Sequence, residues 1–218
     1  MFIELAKNAS LLLALCFLHG ANIRLWRKRP LISQTMSGLL FGGICVIGML
    51  SPVVMAPGVI FDARSLVLSM AGLFGGPVVA GISAAIAMAW RTYLGGAGTG
   101  VGIMVILLCS ALGLAYRQAH AKGRLDTGPV NLLVFGLLLH LAVFGLFQWL
   151  PPEVTQRINQ VLTLPFLLVF MLATVAMGLL LRDVQDRMAT EQALADSAAR
   201  LQAIAAALPD VLLVMDDQ

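Results

Sequence analysis

The chain contains several apolar runs that are each about as long as a lipid bilayer is thick. Five of them are clear in the sequence: 2–18, 36–55, 101–116, 130–150 and 162–181. Each is close to the ~20 residues that a helix needs to cross ~30 Å of hydrocarbon. Of the 218 residues, 60% are hydrophobic and only 11% are charged, whereas soluble domains carry about 25% charged residues. The sequence therefore predicts an all-α, multi-pass membrane protein.

A further apolar region, 65–90, is too long for one straight span. As a single helix it would extend ~39 Å at a rise of ~1.5 Å per residue. Gly75, Gly76 and Pro77 lie in its middle, and a proline inside a helix removes a backbone hydrogen bond and clashes with the preceding turn. We therefore expect two short spans, about 62–75 and 77–91, joined by a tight turn, and about seven transmembrane helices in total.

Basic residues in the loops support the seven-span topology. With seven spans, the basic residues of 24–29, 117–124 and 182–187 all lie on the cytoplasmic side together with the C-terminus, as the positive-inside rule requires. With six spans, the cluster at 24–29 would face outward. We assign Arg117, Lys122 and Arg124 to topology and to contact with membrane lipids, without specific chemistry. Three segments then lie outside: 52–63, 92–100 and 151–161.

Two arginines, Arg64 and Arg91, fall at the outer rim of this topology. A charged residue near membrane depth is costly, which makes it a candidate functional residue. A guanidinium holds a carboxylate or phosphate through two parallel hydrogen bonds, so the pair predicts a clamp for a small anion. The structural alternative is that Arg64 pairs with Asp62 and that Arg91 anchors a helix end.

Four neighbouring residues complete the predicted ligand-binding set. Asp62 either belongs to the site or, as we favour, orients an arginine or caps the following span. Ser65 hydrogen-bonds either the ligand or the helix backbone. Around Gly96 and Gly98, backbone N–H groups either approach an anion or small residues let helices pack closely. The packing interpretation is favoured for these glycines.

The sequence offers no catalytic site, metal site or cofactor site. Cys16, Cys45 and Cys109 lie inside apolar runs, in an odd number and without metal-ligand spacing. His140 lies in the middle of a span, where we expect a hydrogen-bonded core residue. There is no nucleophile–base pair and no phosphate-binding loop. The net charge of +3 is small and lies mostly in loops, which argues against nucleic-acid binding.

After residue 181 the composition changes to that of a charged helix. A seam at 4,3,4,3 spacing predicts a coiled-coil linker over 183–208 that joins two copies of the chain; the alternative is a solvated amphipathic helix. The seam consists of Leu194, Ala198, Leu201, Ala205 and Leu208. Pro209-Asp210 is expected to end the helix, and 211–217 to begin a strand. A helix leading into one strand indicates part of a larger protein.

Several motifs together resemble the sensor region of LytS–YhcK-type membrane receptors over about residues 20–182. They are Asn22-x-Arg24, Gly38-x-x-x-Gly42, Pro52, Pro57-Gly58, Phe61-Asp62-x-Arg64-Ser65, Gly72-Leu-Phe-Gly-Gly-Pro77, Arg91, Gly95-Gly96-x-Gly98 and Gly102. Residues 194–217 look like a linker and the opening of a PAS domain, with 209–218 as its truncated beginning.

The resemblance implies a bacterial inner-membrane sensor fused to a histidine kinase or a cyclic-di-GMP enzyme, so that any catalysis lies beyond these residues. Some members respond to pyruvate-like acids, and the resemblance places Arg64 and Arg91 in the ligand pocket. Pyruvate-responsive relatives carry cysteine and serine a little after the second arginine, whereas residues 102–105 here have no polar side chain. That departure points away from pyruvate itself but not from an acidic ligand.

The glycine-rich broken segment also looks like the substrate-binding subunits of vitamin transporters. Small-molecule transport is therefore the alternative function. A transporter is expected to end near its last span, and the C-terminal seam and strand argue against it.

Overall fold

A computed structural model describes residues 2–50, 53–56, 59–161 and 163–216 of the protein. These residues form a predominantly helical structure with one short β-hairpin and one π-helical turn. In chain order the elements are α1 (Phe2–Leu25), α2 (Pro30–Leu50), β1 (Val53–Ala56), β2 (Val59–Phe61), α3 (Arg64–Met70), the π turn (Ala71–Gly75), α4 (Pro77–Leu94), α5 (Thr99–Ala121), α6 (Pro129–Phe147), α7 (Pro152–Val161) and α8 (Thr163–Asp216).

In the part of the chain that the structure describes, five helices are long and apolar enough to cross a membrane. They are Pro30–Leu50, Pro77–Leu94, Thr99–Ala121, Pro129–Phe147 and Leu167–Ile204. Two further apolar helices, Ser10–Leu25 and Arg64–Gly75, are shorter. The structure thus supports a multi-pass membrane protein, and the seven-span count stays a prediction.

The chain divides into two compact units, Met1–Arg182 and Asp183–Gln218. The second unit is helical as far as it is described, so the strand predicted from 211 onward is wrong for 211–216, where α8 continues to Asp216. A helix satisfies the backbone N–H and carbonyl groups of this stretch internally. Residues 217 and 218 lie outside the described residues. The linker and the PAS-like domain stay predictions.

The predicted break of the long apolar region is confirmed. α3 and the π turn end at Gly75, Gly76 has φ +82°, and α4 begins at Pro77. A positive φ is a backbone conformation that glycine adopts without a Cβ clash, and proline is favoured at the first position of a helix because no N–H is needed there. The two residue types therefore end one helix and start the next.

The segment Arg64–Gly75, called here the central segment, is the most enclosed part of the first unit. Residues 64–74 are all buried, and α3 packs against α2, α4, α5 and α6. Most of its side chains are apolar, and a helix that is apolar on most faces is typically buried in a core or in a membrane. The central segment therefore occupies the interior of the bundle.

Glycines bring the central segment and α5 into backbone contact. A Cβ on Gly113 would overlap the carbonyl of Ser69, and a Cβ on Gly72 would lie 2.9 Å from the carbonyl oxygen of Ser110. Helices in lipid associate through such close packing because lipid supplies no hydrophobic driving force between them. Gly38 and Gly42 play the predicted packing role on α2, where they contact Ile82 and Ile86 of α4.

Two segments that were predicted only as outer loops have regular structure. Within 52–63, β1 and β2 pair as an antiparallel hairpin that leads directly into Asp62. Within 151–161, α7 begins at Pro152, and its Ile158 is buried with Leu150 against Phe144 and Phe147. Short amphipathic elements such as α7 give a weaker sequence signal than a membrane span.

Substitution of Gly113 by alanine tests the backbone contact. We expect Gly113→Ala to lower the free energy of unfolding by about 1–3 kcal/mol, because the new methyl group overpacks a contact with Ser69 backbone that cannot move aside. Thermal denaturation in detergent measures the effect. Gly81→Ala is the matched control, because a Cβ there meets nothing within 4 Å, and it should leave the melting temperature unchanged or raise it. Equal melting temperatures for both variants would contradict the contact.

Candidate functional site

The turn between β2 and α3 holds an ion pair that is local in sequence. Asp62 Oδ1 accepts a hydrogen bond from the Arg64 backbone N–H at 2.9 Å and lies 3.3 Å from Arg64 Nε. The two residues are 9% and 8% exposed. Asp62 therefore both caps the start of α3 and orients Arg64, as favoured from the sequence. The predicted pairing alternative for Arg64 is thus present in the structure.

The Arg64 side chain extends from this pair toward α2. Its Nη1 lies 3.5 Å from Met49 Sδ, a weak acceptor. Arg64 also borders a cavity of about 10 Å³ between α1, α2 and α3, which is about the volume that one water molecule needs. The cavity is lined by Leu11, Leu12, Ile44, Cys45, Gly48, Ala63, Arg64 and Val67.

Arg91 lies in the last turn of α4 and is only 2% exposed. Its Nη1 donates to the carbonyl oxygen of Gly95 at 2.7 Å. Its side chain also packs on α5, where a Cβ on Gly102 would lie 2.7 Å from Arg91 Nε. Gly102 is therefore required for the path that the arginine takes across α5.

Electrostatics show that both arginines and Asp62 belong to one cluster. Burial raises the pKa of the Asp62 carboxyl above its ordinary value, while the charge of Arg64, the hydrogen bond from its backbone and the charge of Arg91 act in the opposite direction. Charges act on one another in this way when they lie near each other in the fold. Among the described residues, the cluster consists of two guanidinium groups and one carboxyl group.

The second oxygen of the Asp62 carboxyl makes no hydrogen bond within the described part of the chain. This oxygen, Oδ2, is buried. A buried polar atom in that state is costly. The raised pKa of Asp62 is consistent with this cost. Protonation removes the buried negative charge and so lowers the cost of burial.

Ser65 contacts His140, a residue that the predicted site does not include. Its Oγ lies 3.5 Å from Nε2 of His140, whose Nδ1 lies 2.7 Å from the carbonyl oxygen of Gly136. A carbonyl only accepts, so Nδ1 carries the proton and Nε2 accepts from the Ser65 hydroxyl. His140 is fully buried and, as predicted, is a hydrogen-bonded core residue. Its partner on another helix could not be read from the spacing.

The predicted glycines have structural roles in the loop after Arg91. Gly96 is exposed, has φ +93°, and its carbonyl accepts from the Thr99 N–H and hydroxyl at 3.1 and 2.9 Å. Gly98 is the residue preceding α5, and its carbonyl accepts from the Gly102 N–H. The Arg91 guanidinium donates to the carbonyl of a different glycine, Gly95. These contacts are turn hydrogen bonds, and both the anion-binding and the packing interpretation of Gly96 and Gly98 stay predictions.

Comparison with known proteins identifies the family. A family model described as 5TMR of 5TMR-LYT, the multi-pass transmembrane region of LytS-type receptors, matches residues 21–184. The chain belongs to the LytS-type family of transmembrane sensors. The resemblance seen in the motifs is therefore confirmed. No curated protein and no solved structure matches the chain.

The LytS-type match covers the whole arginine cluster. Asp62, Arg64 and Arg91 lie well inside 21–184, as do the hairpin and the glycine loop that lead into and away from them. The helical unit that begins at Asp183 lies almost entirely outside the match. The cluster is thus part of the sensor region itself.

A double-mutant cycle at Gly102 tests the packing of Arg91. We expect Gly102→Ala to lower the free energy of unfolding by about 1–3 kcal/mol, because the methyl group displaces the guanidinium from its hydrogen bond to Gly95. The cost should disappear in an Arg91→Ala background, which leaves nothing to displace. Thermal denaturation provides the measurement, with Gly100→Ala as control because a Cβ there meets nothing within 4 Å. Additive effects of the two substitutions would rule out the contact.

Proposed function

We propose that this LytS-type protein is an inner-membrane receptor module that binds a small extracellular or periplasmic carboxylate, of the size of pyruvate, at Arg64 and Arg91. The signal passes through the C-terminal helix to a cytoplasmic output domain, a histidine kinase or a cyclic-di-GMP enzyme. The observation that carries the proposal is the buried cluster of two arginines and one acid. Family membership supports the sensor role.

The charge of the cluster supports an anionic ligand. A buried cation is stabilised by an anion close to it, and the cluster brings two guanidinium groups to one acid. A monocarboxylate bound there would add a second negative charge beside them. Each charge-assisted hydrogen bond contributes about 1.5–3 kcal/mol, so two or three of them correspond to millimolar to micromolar affinity.

The size of the available space supports a coupled conformational change. The cavity beside Arg64 has a volume of about 10 Å³, whereas a carboxylate with a carbon chain is several times larger than one water molecule. Binding therefore requires the surrounding helices to separate. A ligand that binds one arrangement more tightly than the other shifts the equilibrium between them, which is the property that a sensor needs.

The described part of the C-terminal unit supports a dimeric relay. Leu194 and Leu201 of the predicted seam are 73% and 65% exposed. Apolar side chains repeated at this spacing on a charged helix pair with a second helix in coiled coils. A second copy of the chain is the proposed partner, with the positive-inside rule placing this unit in the cytoplasm.

A thermal-shift assay on detergent-purified protein tests the ligand class. We expect at least one acid from a panel of short-chain and 2-oxo carboxylates to raise the melting temperature saturably. Arg64→Ala and Arg91→Ala should each abolish the shift, since each removes charge-assisted hydrogen bonds of about 1.5–3 kcal/mol. Arg124→Ala, at an exposed arginine outside the cluster, is the control and should respond like the wild type.

A shift that persists in both cluster variants would assign the arginines to structure alone. Counterflow of the same acid in proteoliposomes would instead indicate transport.

The raised pKa of Asp62 leads to a prediction for how ligand affinity depends on pH. A carboxylate bound beside Asp62 raises its pKa further, so the complex takes up a proton and affinity increases as pH falls, by at most about tenfold per pH unit for one proton. Asp62→Asn keeps an oxygen that accepts from the Arg64 N–H but removes the competing charge. This variant should bind more tightly at neutral pH and lose the dependence. Measured affinities that change identically with pH in both proteins would exclude Asp62 as the linked group.

A further inference from the structure

The end of the central segment opposite to Arg64 is held by a third arginine. Arg117 Nη1 donates to the carbonyl oxygens of Leu73 and Phe74 at 3.0 and 3.2 Å. The guanidinium also lies against the break, because a Cβ on Gly76 would be 3.3 Å from Arg117 Nε. Arg117, assigned from the sequence only to topology and lipid contact, therefore has a specific structural partner.

The chemistry of the break explains why an arginine is needed there. In an α-helix the carbonyl of Leu73 would accept from the N–H of residue 77, but that residue is proline and has no N–H. The carbonyl end of a helix also carries partial negative charge, which a cation stabilises. Arg117 supplies both the missing donor and the positive charge. Its two bonds reach two successive carbonyls at the end of the π turn.

α5, the helix that carries Arg117, also contacts the arginine cluster near its other end. Gly102, which contacts Arg91, lies in the first turn of α5, and the middle of α5 is in backbone contact with Ser69 and Gly72. Arg117 lies about one turn before the end of α5. The central segment spans ~18 Å at ~1.5 Å per residue, and α5 accompanies it over that length. Guanidinium groups thus link α5 to its neighbours at both ends of the central segment.

We propose that Arg117 is a positioning residue that fixes the far end of the central segment to α5, so that occupancy of the Arg64–Arg91 site changes the environment of residues 72–80. This inference rests on the proposed function for its ligand-dependent half. The π turn supports it, because π-helical turns inside α-helices are frequently associated with functional sites. Because Arg117 joins the far end of the central segment to α5, a displacement at Arg64 reaches the end of α5. It is not absorbed at the break between Gly75 and Pro77.

Hydrogen–deuterium exchange of peptides covering residues 72–80 tests the anchor without any ligand. Arg117→Gln should exchange faster there than the wild type, since the neutral amide carries fewer donors and no charge for the helix end. Arg117→Lys should restore most of the protection, because its ammonium group still donates to the carbonyls. Arg124→Gln is the matched control in the loop after α5 and should match the wild type. Equal exchange in Arg117→Gln and wild type would overturn the proposal.

The same experiment with acetate, propionate and pyruvate in excess tests the transmission. An acid that raises the melting temperature should change exchange at 72–80 in the wild type, and this change should be lost in Arg117→Gln while the melting-temperature shift remains. A distal change that survives in Arg117→Gln, or loss of the melting-temperature shift itself in that variant, would overturn it. If no acid stabilises the wild type, the proposed function fails, and the ligand-free comparison still decides the anchor.

Discussion

The central segment is surrounded by protein on all sides, and the rest of the first unit depends on how its two ends are satisfied. Water and lipid headgroups are excluded from residues 64–74, so the open N–H and carbonyl groups at the helix ends require partners from the protein. Asp62 accepts from the Arg64 N–H at the first end, and Arg117 donates to the carbonyls of Leu73 and Phe74 at the last. The flanking glycines then allow α5 to approach within backbone contact.

The arginine cluster follows from this arrangement. A helix that starts inside the bundle places its first side chain there too, and Arg64 is that residue. The chain returns through α4, whose last turn brings Arg91 back to the same end. The result is a buried concentration of positive charge at one end of the bundle. Such charge is tolerated where it is partly neutralised and is stabilised further by an incoming anion.

The break, the packing glycines and the arginine pair could be predicted because each has a strong local signal. Pro77 cannot continue a helix, Gly38 and Gly42 share one helical face, and arginine is rare in apolar runs. The contacts of Ser65 with His140 and of Arg117 with Leu73 could not be predicted, because they join residues far apart in sequence. Periodicity places a side chain on a face but does not select its partner on another helix.

The sequence-based predictions of secondary structure were incomplete or wrong where tertiary context decides the outcome. The short hairpin and α7 are too brief for a periodic signal, and α7 is buried through Ile158 against neighbouring helices. Residues 211–216 combine strand-forming side chains with a preceding proline, yet they are helical. β-propensity describes fit to a sheet, and a segment without neighbouring strands gains little from it.

The local partners of the two arginines also bear on how the protein enters the membrane. Arginine at the centre of a helix costs about 2.5–3.5 kcal/mol during insertion by the translocon. Arg64 pairs with an acid two residues earlier, and Arg91 donates to a carbonyl four residues later. Both contacts join residues within about one turn of chain, so neither needs a partner from another helix. Each arginine therefore has a polar partner that is available to its own segment before the helices assemble.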